Sequence, residues 1–342
     1  MTRTAAGVSA RPPAAGPGRG RPGVPALVAV AHGSRDPAAV RTVRALLAAV
    51  RALRPEVPVR LGHVELNEPL LADTLEVLAR EGGEAVLVPL LFGRGHHVTR
   101  DIPETLAAAE AGAPGPDAAG RRYGAGPPGP AGRPAAGSRP GPAEWPDAAR
   151  VRDRATPAEG GPPGAGSRPA TADRPAAGQP GAAEYAPVRP FSARVAAPLG
   201  PHPLLADALA ARLAEAGWRG GDGVVLAAAG SRAARSAADT EATAALLAAR
   251  LGVPVLPAYA SAAAPTVAEA ARTLAARGRR RIGVACCFTA PGLFARRTAA
   301  DAAALGLPVA APLGAHPALA RLVLHRYDEQ LAARRGAVRT AA

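Results

Sequence analysis

The stretch VLVPLLFGRGHHVTRDIP, residues Val86–Pro103, combines the features that decide the fold of this chain. It opens with apolar, partly branched residues, which predict a short buried strand. Gly93 and Gly95 then interrupt the apolar run, and the proline of DIP favours the first turn of a helix. His96 and His97 therefore follow a strand and precede a helix. In a parallel α/β sheet this is the edge at which ligands bind.

Strands and amphipathic helices alternate on the N-terminal side of this stretch. Ala26–Ala31 is predicted as the first strand and leads into HGSRDP at 32–37. The spacing of apolar residues predicts a helix over Pro37–Leu53, a strand over Val57–Leu66 and a helix over about 69–80. Such alternation indicates a parallel sheet with helices on both faces.

The same pattern occurs a second time in the chain. VAVAHGSR at 28–35 matches VLAAAGSR at 225–232, and VAAPLGPHPLLA at 195–206 recurs as VAAPLGAHPALA at 309–320. Residues 64–69 align with residues 260–265 at an offset of 196, whereas the second pair lies only 114 apart, so the first half contains an insertion of about 82 residues. A repeat of this length predicts two related α/β units.

We therefore predict an α/β fold of two tandem-repeat halves, each a four-stranded parallel sheet flanked by helices. The N-terminal half spans 25–220 and the C-terminal half 221–336. Sequence rich in Pro, Gly and Ala at about 111–189 predicts a disordered insertion within the N-terminal half. Residues 1–24 and 337–342 are predicted as tails.

Charge and composition exclude some classes of function. The net charge of +14 is compatible with nucleic-acid binding, but the basic residues are spread along the chain and aromatic residues make up only 3%. A nucleic-acid surface would combine basic and aromatic side chains, whereas a positive protein also attracts small polyanions. Two adjacent cysteines cannot form a disulfide framework. We expect a cytoplasmic protein with neither nucleic acid nor membrane as partner.

Three ionisable side chains of the first half, His32, Glu65 and His97, are predicted at the carboxyl ends of three parallel strands. Such ends face one crevice. Two imidazoles and a carboxylate can bind a divalent first-row metal and leave coordination positions open, whereas a structural zinc site usually has four protein ligands. The positions aligned with them in the second half are not ionisable: Ala229, Ser261 and Leu293. This contrast predicts a metal or acid–base site in the first half.

Other histidines and the cysteines are given structural roles. His63 is predicted as a core or surface residue, because strand alternation turns it away from the crevice. His202 and His316 occur in the repeated LGxHP segment, which predicts a common role at a helix start. Cys286–Cys287 is predicted as part of a buried strand rather than as a metal site.

AHGSRDP, VELNEP and VPLLFGRGHHVTRDIP, in this order and spacing, resemble the motifs of the sirohydrochlorin chelatases, the class II tetrapyrrole metal chelatases. The resemblance covers residues 26–108 and about 189–336. It implies that His32, Glu65 and His97 line the metal-insertion site as metal ligands and catalytic residues. His96 does not stand at a ligand position of that family.

The resemblance implies insertion of a divalent metal, with ferrous iron favoured, into sirohydrochlorin to form siroheme. Cobalt insertion for cobalamin synthesis is the alternative, and a non-catalytic metal or tetrapyrrole carrier ranks lower. No cofactor is expected beyond the metal substrate, and a monomer is expected because the halves are fused. Arginine binds carboxylates in a forked geometry. The residues assigned to the polycarboxylate substrate are Ser34, Arg35, Arg94 and Arg100.

Overall fold

Strand β1, Ala26–Ala31, lies inside the first of two parallel sheets. On one side it pairs with β2, Val59–His63, and on the other with β3, Glu84–Pro89. Beyond β3 lies β4, Ser192–Val195, so the strand order is β2-β1-β3-β4. Every pairing is parallel, which confirms the predicted sheet of the N-terminal half.

The computed structural model describes residues 23–112, 191–261 and 263–340. The predicted insertion at about 111–189 and the predicted N-terminal tail lie almost entirely outside the described residues. The last helix extends to Thr340 and so includes residues 337–340 of the predicted C-terminal tail.

The second sheet has three strands in the order β6-β5-β7. They are β5, Gly223–Ala228, β6, Val255–Tyr259, and β7, Ile282–Cys286. The predicted fourth strand is reduced to a single parallel bridge between Val284 and Val309. Gly306 has φ +65 and Pro308 has no N–H to donate, so the residues before Val309 cannot continue the ladder.

Helices connect the strands in both halves, in the order that the apolar spacing predicts. In the first half they are α1, Pro37–Leu53, α2, Leu71–Glu81, a π-helical turn, His97–Asp101, and α3, Ile102–Glu110, followed after β4 by α4, Pro203–Glu215. In the second half they are α5, Ala234–Leu251, α6, Val267–Ala276, α7, Leu293–Ala304, and α8, Pro317–Thr340.

Alternation along the central strands divides the apolar residues among three clusters. Leu27 and Ala29 of β1 and Leu226 of β5 face a shared core that α1, α4, α5 and α8 fill between the sheets. The alternate residues of β1, such as Val28, face an outer cluster with α2 and α3. Those of β5, such as Val225, face a third cluster with α6. Both sheets are therefore covered on both faces, as parallel sheets require.

The two halves exchange their last helices. Helix α4 follows β4 of the first half in the sequence but packs against α5 and β7 of the second half. Helix α8 ends the second half but packs against α1 and β3 of the first. The hydroxyl of Tyr327 on α8 donates to the carbonyl of Pro25 at 2.6 Å. The repeat boundary near residue 220 is thus a boundary in sequence but not in packing.

Candidate functional site

A glycine brings the loops after β1 and β2 together. Gly33 has φ +107, and a Cβ at this position would lie 1.9 Å from the carbonyl oxygen of Glu65. The N–H of Glu65 donates to the carbonyl of His32 at 3.0 Å. As a result, Nδ1 of His32 lies 3.5 Å from Oε1 of Glu65. Only glycine permits this conformation and this approach.

The second half keeps the same backbone arrangement without the ionisable groups. Gly230 has φ +90, and a Cβ there would lie 2.4 Å from the carbonyl oxygen of Ser261. The N–H of Ser261 donates to the carbonyl of Ala229 at 3.0 Å. These contacts confirm the predicted equivalence of His32 with Ala229 and of Glu65 with Ser261.

The third side chain, His97, begins the π-helical turn. Its carbonyl accepts the N–H of Ile102, five residues ahead. The ring of His97 packs edge-on against that of His32, with 4.6 Å between the ring centroids and 89° between the planes. The structure therefore brings His32, Glu65 and His97 together at the carboxyl edge of the first sheet.

The predicted equivalence of His97 with Leu293 is wrong by one residue. The N–H of Leu90 donates to the carbonyl of Val30, and that of Cys287 donates to the carbonyl of Ala227, both at 2.8 Å. Leu90 therefore corresponds to Cys287, and counting on from this pair matches His97 with Phe294. The error arises because the predicted alignment pairs Phe92 with Phe288, whereas the hydrogen bonds match Phe288 with Leu91.

The offset between the two halves changes from 197 to 196 residues within the π-helical turn. Val98 and Ile102 are buried four residues apart in the first half, whereas Ala295 and Thr298 are buried three residues apart in the second. The first half thus has one extra residue, which the wider turn accommodates. Such single π turns inside helices occur frequently at functional sites.

Asp101 is a residue of the site that the sequence interpretation did not assign. Its Oδ2 lies 2.5 Å from Nδ1 of His97, and its Oδ1 lies 3.3 Å from Nε2 of His96. A carboxylate at Nδ1 fixes the ring orientation and leaves Nε2 available toward the crevice. The signal was present in the sequence, because Asp101 follows His97 by four residues at the predicted helix start.

His96 differs from its neighbour in exposure. Its side chain is 68% exposed, whereas that of His97 is 32% exposed. The rings lie 6.4 Å apart, and it is His97 that contacts His32. His97 is therefore the better placed of the two to act with His32 and Glu65.

In the structure, the donor atoms of the three side chains do not converge on one point. Within 23–112, 191–261 and 263–340, no three His, Cys, Asp or Glu side chains form a group that could hold a metal ion as they stand. Side chains of His32 and Glu65 are 43% and 51% exposed. These side chains therefore have room to rotate, and metal binding by His32, Glu65 and His97 stays a prediction.

The residues assigned to the substrate lie in different environments. Arg35 is exposed beside the first loop, and Arg100 is exposed and paired with Glu104. The N–H of Ser34 donates to Oδ1 of Asn67 at 2.6 Å, and its hydroxyl accepts the N–H of Asp36 at 3.1 Å. These contacts give Ser34 a role in fixing the loop. Substrate binding by these residues stays a prediction.

The side chain of Arg94 forms an ion pair that the sequence did not predict. Its guanidinium binds the carboxylate of Asp239 on α5, with Nη2 to Oδ1 at 2.6 Å and Nε to Oδ2 at 3.0 Å. The hydrogen bond to Asp239 raises the pKa of Arg94 above its ordinary value. Its guanidinium is thus already paired with a carboxylate of the other half, although Arg94 was assigned to the substrate.

Residues of the second half contact the loops that follow β1 and β3. Nη1 of Arg296 donates to Oδ2 of Asp36 at 2.5 Å, and Asp36 also caps α1. The hydroxyl of Thr289 donates to the carbonyl of Leu90 at 3.0 Å. A Cβ at Gly292 would lie 3.9 Å from the hydroxyl oxygen of Ser34.

Three other histidines have the structural roles that the sequence predicts. His63 is buried, with Nδ1 3.1 Å from the carbonyl oxygen of Pro69, and burial lowers its pKa. Nδ1 of His202 accepts the N–H of Leu204, and Nδ1 of His316 accepts the N–H of the residue two positions ahead. Both are therefore helix caps, as predicted.

The cysteines are buried, which confirms their predicted place in the core. Burial raises the pKa of Cys286 to about 12 and also raises that of Cys287. Neither thiol is therefore ionised near neutral pH, so neither is suited to bind a metal as thiolate.

Comparison with known proteins agrees with this geometry. The model of the CbiX family matches the chain twice, over residues 26–124 and 223–330, which together are more than half of its length. The chain belongs to the CbiX family. This membership confirms the resemblance to the sirohydrochlorin chelatases, and the double match confirms the internal repeat.

Curated relatives of this CbiX chain match it over limited segments. The sirohydrochlorin cobaltochelatase of Methanococcus aeolicus is 33% identical over 86 residues, which are 25% of this chain and 60% of the relative. That of Saccharolobus islandicus is 45% identical over 49 residues, which are 14% of this chain and 38% of the relative. The chain therefore spans less than two thirds of the length of these relatives.

Solved structures share the fold of this CbiX chain over most of its length. SirB from Bacillus subtilis with Fe³⁺ has a TM-score of 0.59 at 18% identity, covering 92% of this chain and 98% of SirB. SirB from Bacillus subtilis subspecies spizizenii in complex with cobalt has a TM-score of 0.54 at 18% identity, covering 90% and 94%. Among the described helices, none is long and apolar enough to cross a membrane.

Proposed function

We propose that this chain inserts a divalent metal ion into sirohydrochlorin. The observation that carries the proposal is the meeting of His32, Glu65 and His97 at the carboxyl edge of the first sheet, where the second half has only Ala229, Ser261 and Phe294. The relatives support it, because they are named sirohydrochlorin cobaltochelatases.

The three side chains suit this chemistry. Insertion of a divalent metal releases two pyrrole protons, so the site must hold a cation and accept protons. Neutral imidazole serves both as a ligand for first-row metals and as a base. In this proposal the carboxylate of Glu65 offsets the metal charge, and Asp101 orients His97. The exposed guanidinium groups of Arg35 and Arg100 would bind substrate carboxylates.

The metal is proposed to be ferrous iron, with cobalt as the second candidate. The ligand set of two imidazoles and one carboxylate accepts both ions. The curated relatives favour cobalt by their names, whereas the SirB structures include one with iron and one with cobalt. A direct comparison of the two metals is therefore the test.

The experiment is an anaerobic assay of the purified full-length chain with sirohydrochlorin and either Fe²⁺ or Co²⁺, followed by absorbance of the macrocycle. We expect insertion well above the spontaneous rate, and a higher kcat/KM with Fe²⁺ than with Co²⁺. The reverse order would make cobalt the metal. His32→Ala serves as the matched inactive control. A rate equal to the spontaneous one with both metals, together with binding of metal or tetrapyrrole, would instead identify a carrier.

A further inference from the structure

The loop that leads to His97 is held by a buried carboxylate of the other half. Asp239 on α5 is 2% exposed. It accepts hydrogen bonds from Nε and Nη2 of Arg94, and its Oδ2 also accepts the backbone N–H of Arg94 at 2.8 Å. Asp239 therefore binds both the side chain and the backbone of the loop.

The glycines on either side of Arg94 lie close to the same helix and to the loop that precedes it. A Cβ at Gly93 would lie 3.1 Å from the hydroxyl oxygen of Ser236 and 3.5 Å from Cβ of Asp239. A Cβ at Gly95 would lie 3.8 Å from the hydroxyl oxygen of Ser231. The loop thus packs against α5 with little space between them.

This contact leads directly into the turn that carries the imidazole. The carbonyl of Gly95 accepts the N–H of Thr99 at 3.1 Å and so begins the helical segment that contains His97. The position of residues 93–95 consequently determines where that segment starts. The ring of His97 in turn packs against that of His32, with 4.6 Å between the ring centroids.

We propose that Asp239 is a positioning residue for the metal site, which acts through Arg94 to hold His97 beside His32. The proposal rests on the proposed function and deepens it: the second half has Ala229, Ser261 and Phe294 where the first has its three site residues, but it sets the geometry of those residues. The carboxylate of Asp239 is buried beneath Arg94, so in this proposal it acts through Arg94 rather than on the substrate.

If Asp239 only stabilised the fold, its replacement would change the melting temperature but not the metal site of the folded molecules. Breaking a salt bridge with one buried partner lowers stability wherever the bridge lies, so a lower melting temperature alone decides nothing. A positioning role also changes the site of the molecules that remain folded. Loss of outer contacts that orient metal-binding side chains typically weakens metal binding by about 10–100-fold.

The test compares Asp239→Asn, Arg94→Ala and the double variant with Arg250→Ala in the full-length chain. Arg250 lies at the far end of the same helix and pairs with Asp207 at 2.8 Å, with side chains 58% and 46% exposed. Co²⁺ alone is titrated well below the melting temperature. We expect Asp239→Asn and Arg94→Ala to weaken binding by about 10-fold or more, the double variant to match the single ones, and Arg250→Ala to match the unaltered chain.

A second readout does not depend on metal or activity. The ring signals of His97 are assigned in ¹⁵N NMR spectra with His97→Ala, and we expect them to shift in Asp239→Asn but not in Arg250→Ala. Unchanged His97 signals and unchanged Co²⁺ affinity in folded Asp239→Asn would overturn the proposal. Failure of the unaltered chain to metallate sirohydrochlorin would refute the proposed function alone, because the His97 signals would still report the positioning.

Discussion

His96 and His97 are neighbours in the sequence, yet only His97 packs against His32. The turn directs His97 toward His32 and Asp101, whereas His96 extends into solvent. Which of the two histidines packs against His32 depends on the local helical geometry, and in the sequence it is indicated only by the position of each histidine in the family motif. Composition and the strand–loop–helix pattern alone would treat the two imidazoles alike.

Replacing these two histidines separately is the sharpest test of the site. We expect His97→Ala to lower metal insertion by about 100-fold or more, because general acid–base groups typically contribute 10²–10⁴-fold. His96→Ala should keep most of the activity. The measurement is the anaerobic insertion rate, with circular dichroism to show that both variants fold. Inactive His96→Ala beside active His97→Ala would place the site one residue earlier.

Asp101→Asn should impair the site without removing a ligand. The amide keeps the shape but loses the charge that orients His97 through Nδ1. We expect metal binding to weaken by about 10–100-fold. Isothermal titration with Co²⁺ measures this, and Glu104→Gln, one turn further along and paired with Arg100 on the surface, is the control. Equal affinity in Asp101→Asn and the unaltered chain would show that the carboxylate does not orient the ring.

Some residue-level features could be predicted from sequence and others could not. His32, Glu65 and His97 stand in recognisable motifs at strand ends, so the sequence brings them to one edge. The contact of Arg94 with Asp239 joins positions 145 residues apart. Both side chains are ordinary charged residues in the sequence, and only the packing of the loop on α5 brings them together.

At the level of elements, Gly33 determines how closely the first two loops approach. We expect Gly33→Ala to destabilise the fold by more than the roughly 1–3 kcal/mol that positive φ costs a residue with a Cβ, because the Cβ would also collide with the carbonyl of Glu65. Gly83→Ala is the matched control, since Gly83 has φ +110 with nothing within 4 Å of the added Cβ. Chemical denaturation of both variants measures the difference. If both variants lost the same free energy of unfolding, the loop after β2 would be able to move away from the added Cβ without cost.

The two histidine caps make the helices α4 and α8 sensitive to acid. Burial, first among the causes, lowers the pKa of His202 and of His316 below the ordinary value of 6.5. The unfolded chain therefore takes up protons at a higher pH than the native chain. Stability from these groups is complete above about pH 6.5 and is lost as the pH falls below that value. An imidazolium also has no lone pair to accept the helix N–H.

His202→Asn and His316→Asn should reduce this acid sensitivity. Asparagine accepts the same N–H without titrating, so the cap is kept and about 0.5–2 kcal/mol of cap stability survives in acid. The measurement is the melting temperature at several pH values from neutral to mildly acidic. Some acid sensitivity should remain, because burial also lowers the pKa of His63. A drop in melting temperature as large as that of the unaltered chain would refute the cap mechanism.

The order and type of the elements could be predicted because apolar periodicity differs between strands and helices. Details that depend on one residue could not. The fourth strand of the second half is reduced to a bridge by Gly306 and Pro308. The extra residue of the first half is placed in a π-helical turn, which no apolar spacing distinguishes from an ordinary helix.

For the whole molecule, the repeat was evident in the sequence but the exchange of helices was not. Helix α4 follows β4 and α8 follows the bridge at Val309, so sequence order assigns each helix to its own half. Their buried faces instead complete one shared core between the sheets. Each half therefore depends on a helix of the other half to cover the inner face of its sheet.

Removal of the segment between α3 and β4 tests whether the core needs it. The N–H of Ala193 donates to Oε1 of Glu110 at 3.0 Å, so the two ends of the segment lie close together. The second half makes the corresponding connection from Ala304 to Val309 with four residues. A short glycine–serine loop from Gly112 to Phe191 should therefore close the chain without strain.

We expect this deletion variant to fold and to insert metal at nearly the rate of the full-length chain. Closure entropy changes by only about 0.6 kcal/mol for each doubling of loop length, so a shorter loop should leave the melting temperature equal or slightly higher. The measurements are the melting temperature, Co²⁺ affinity and insertion rate of both proteins. Glu110→Ala in the deletion variant is the matched control, because it removes the contact that joins the two ends. Loss of soluble protein would mean that the removed segment contributes to the core, and loss of activity in a folded variant would mean that it contacts the substrate.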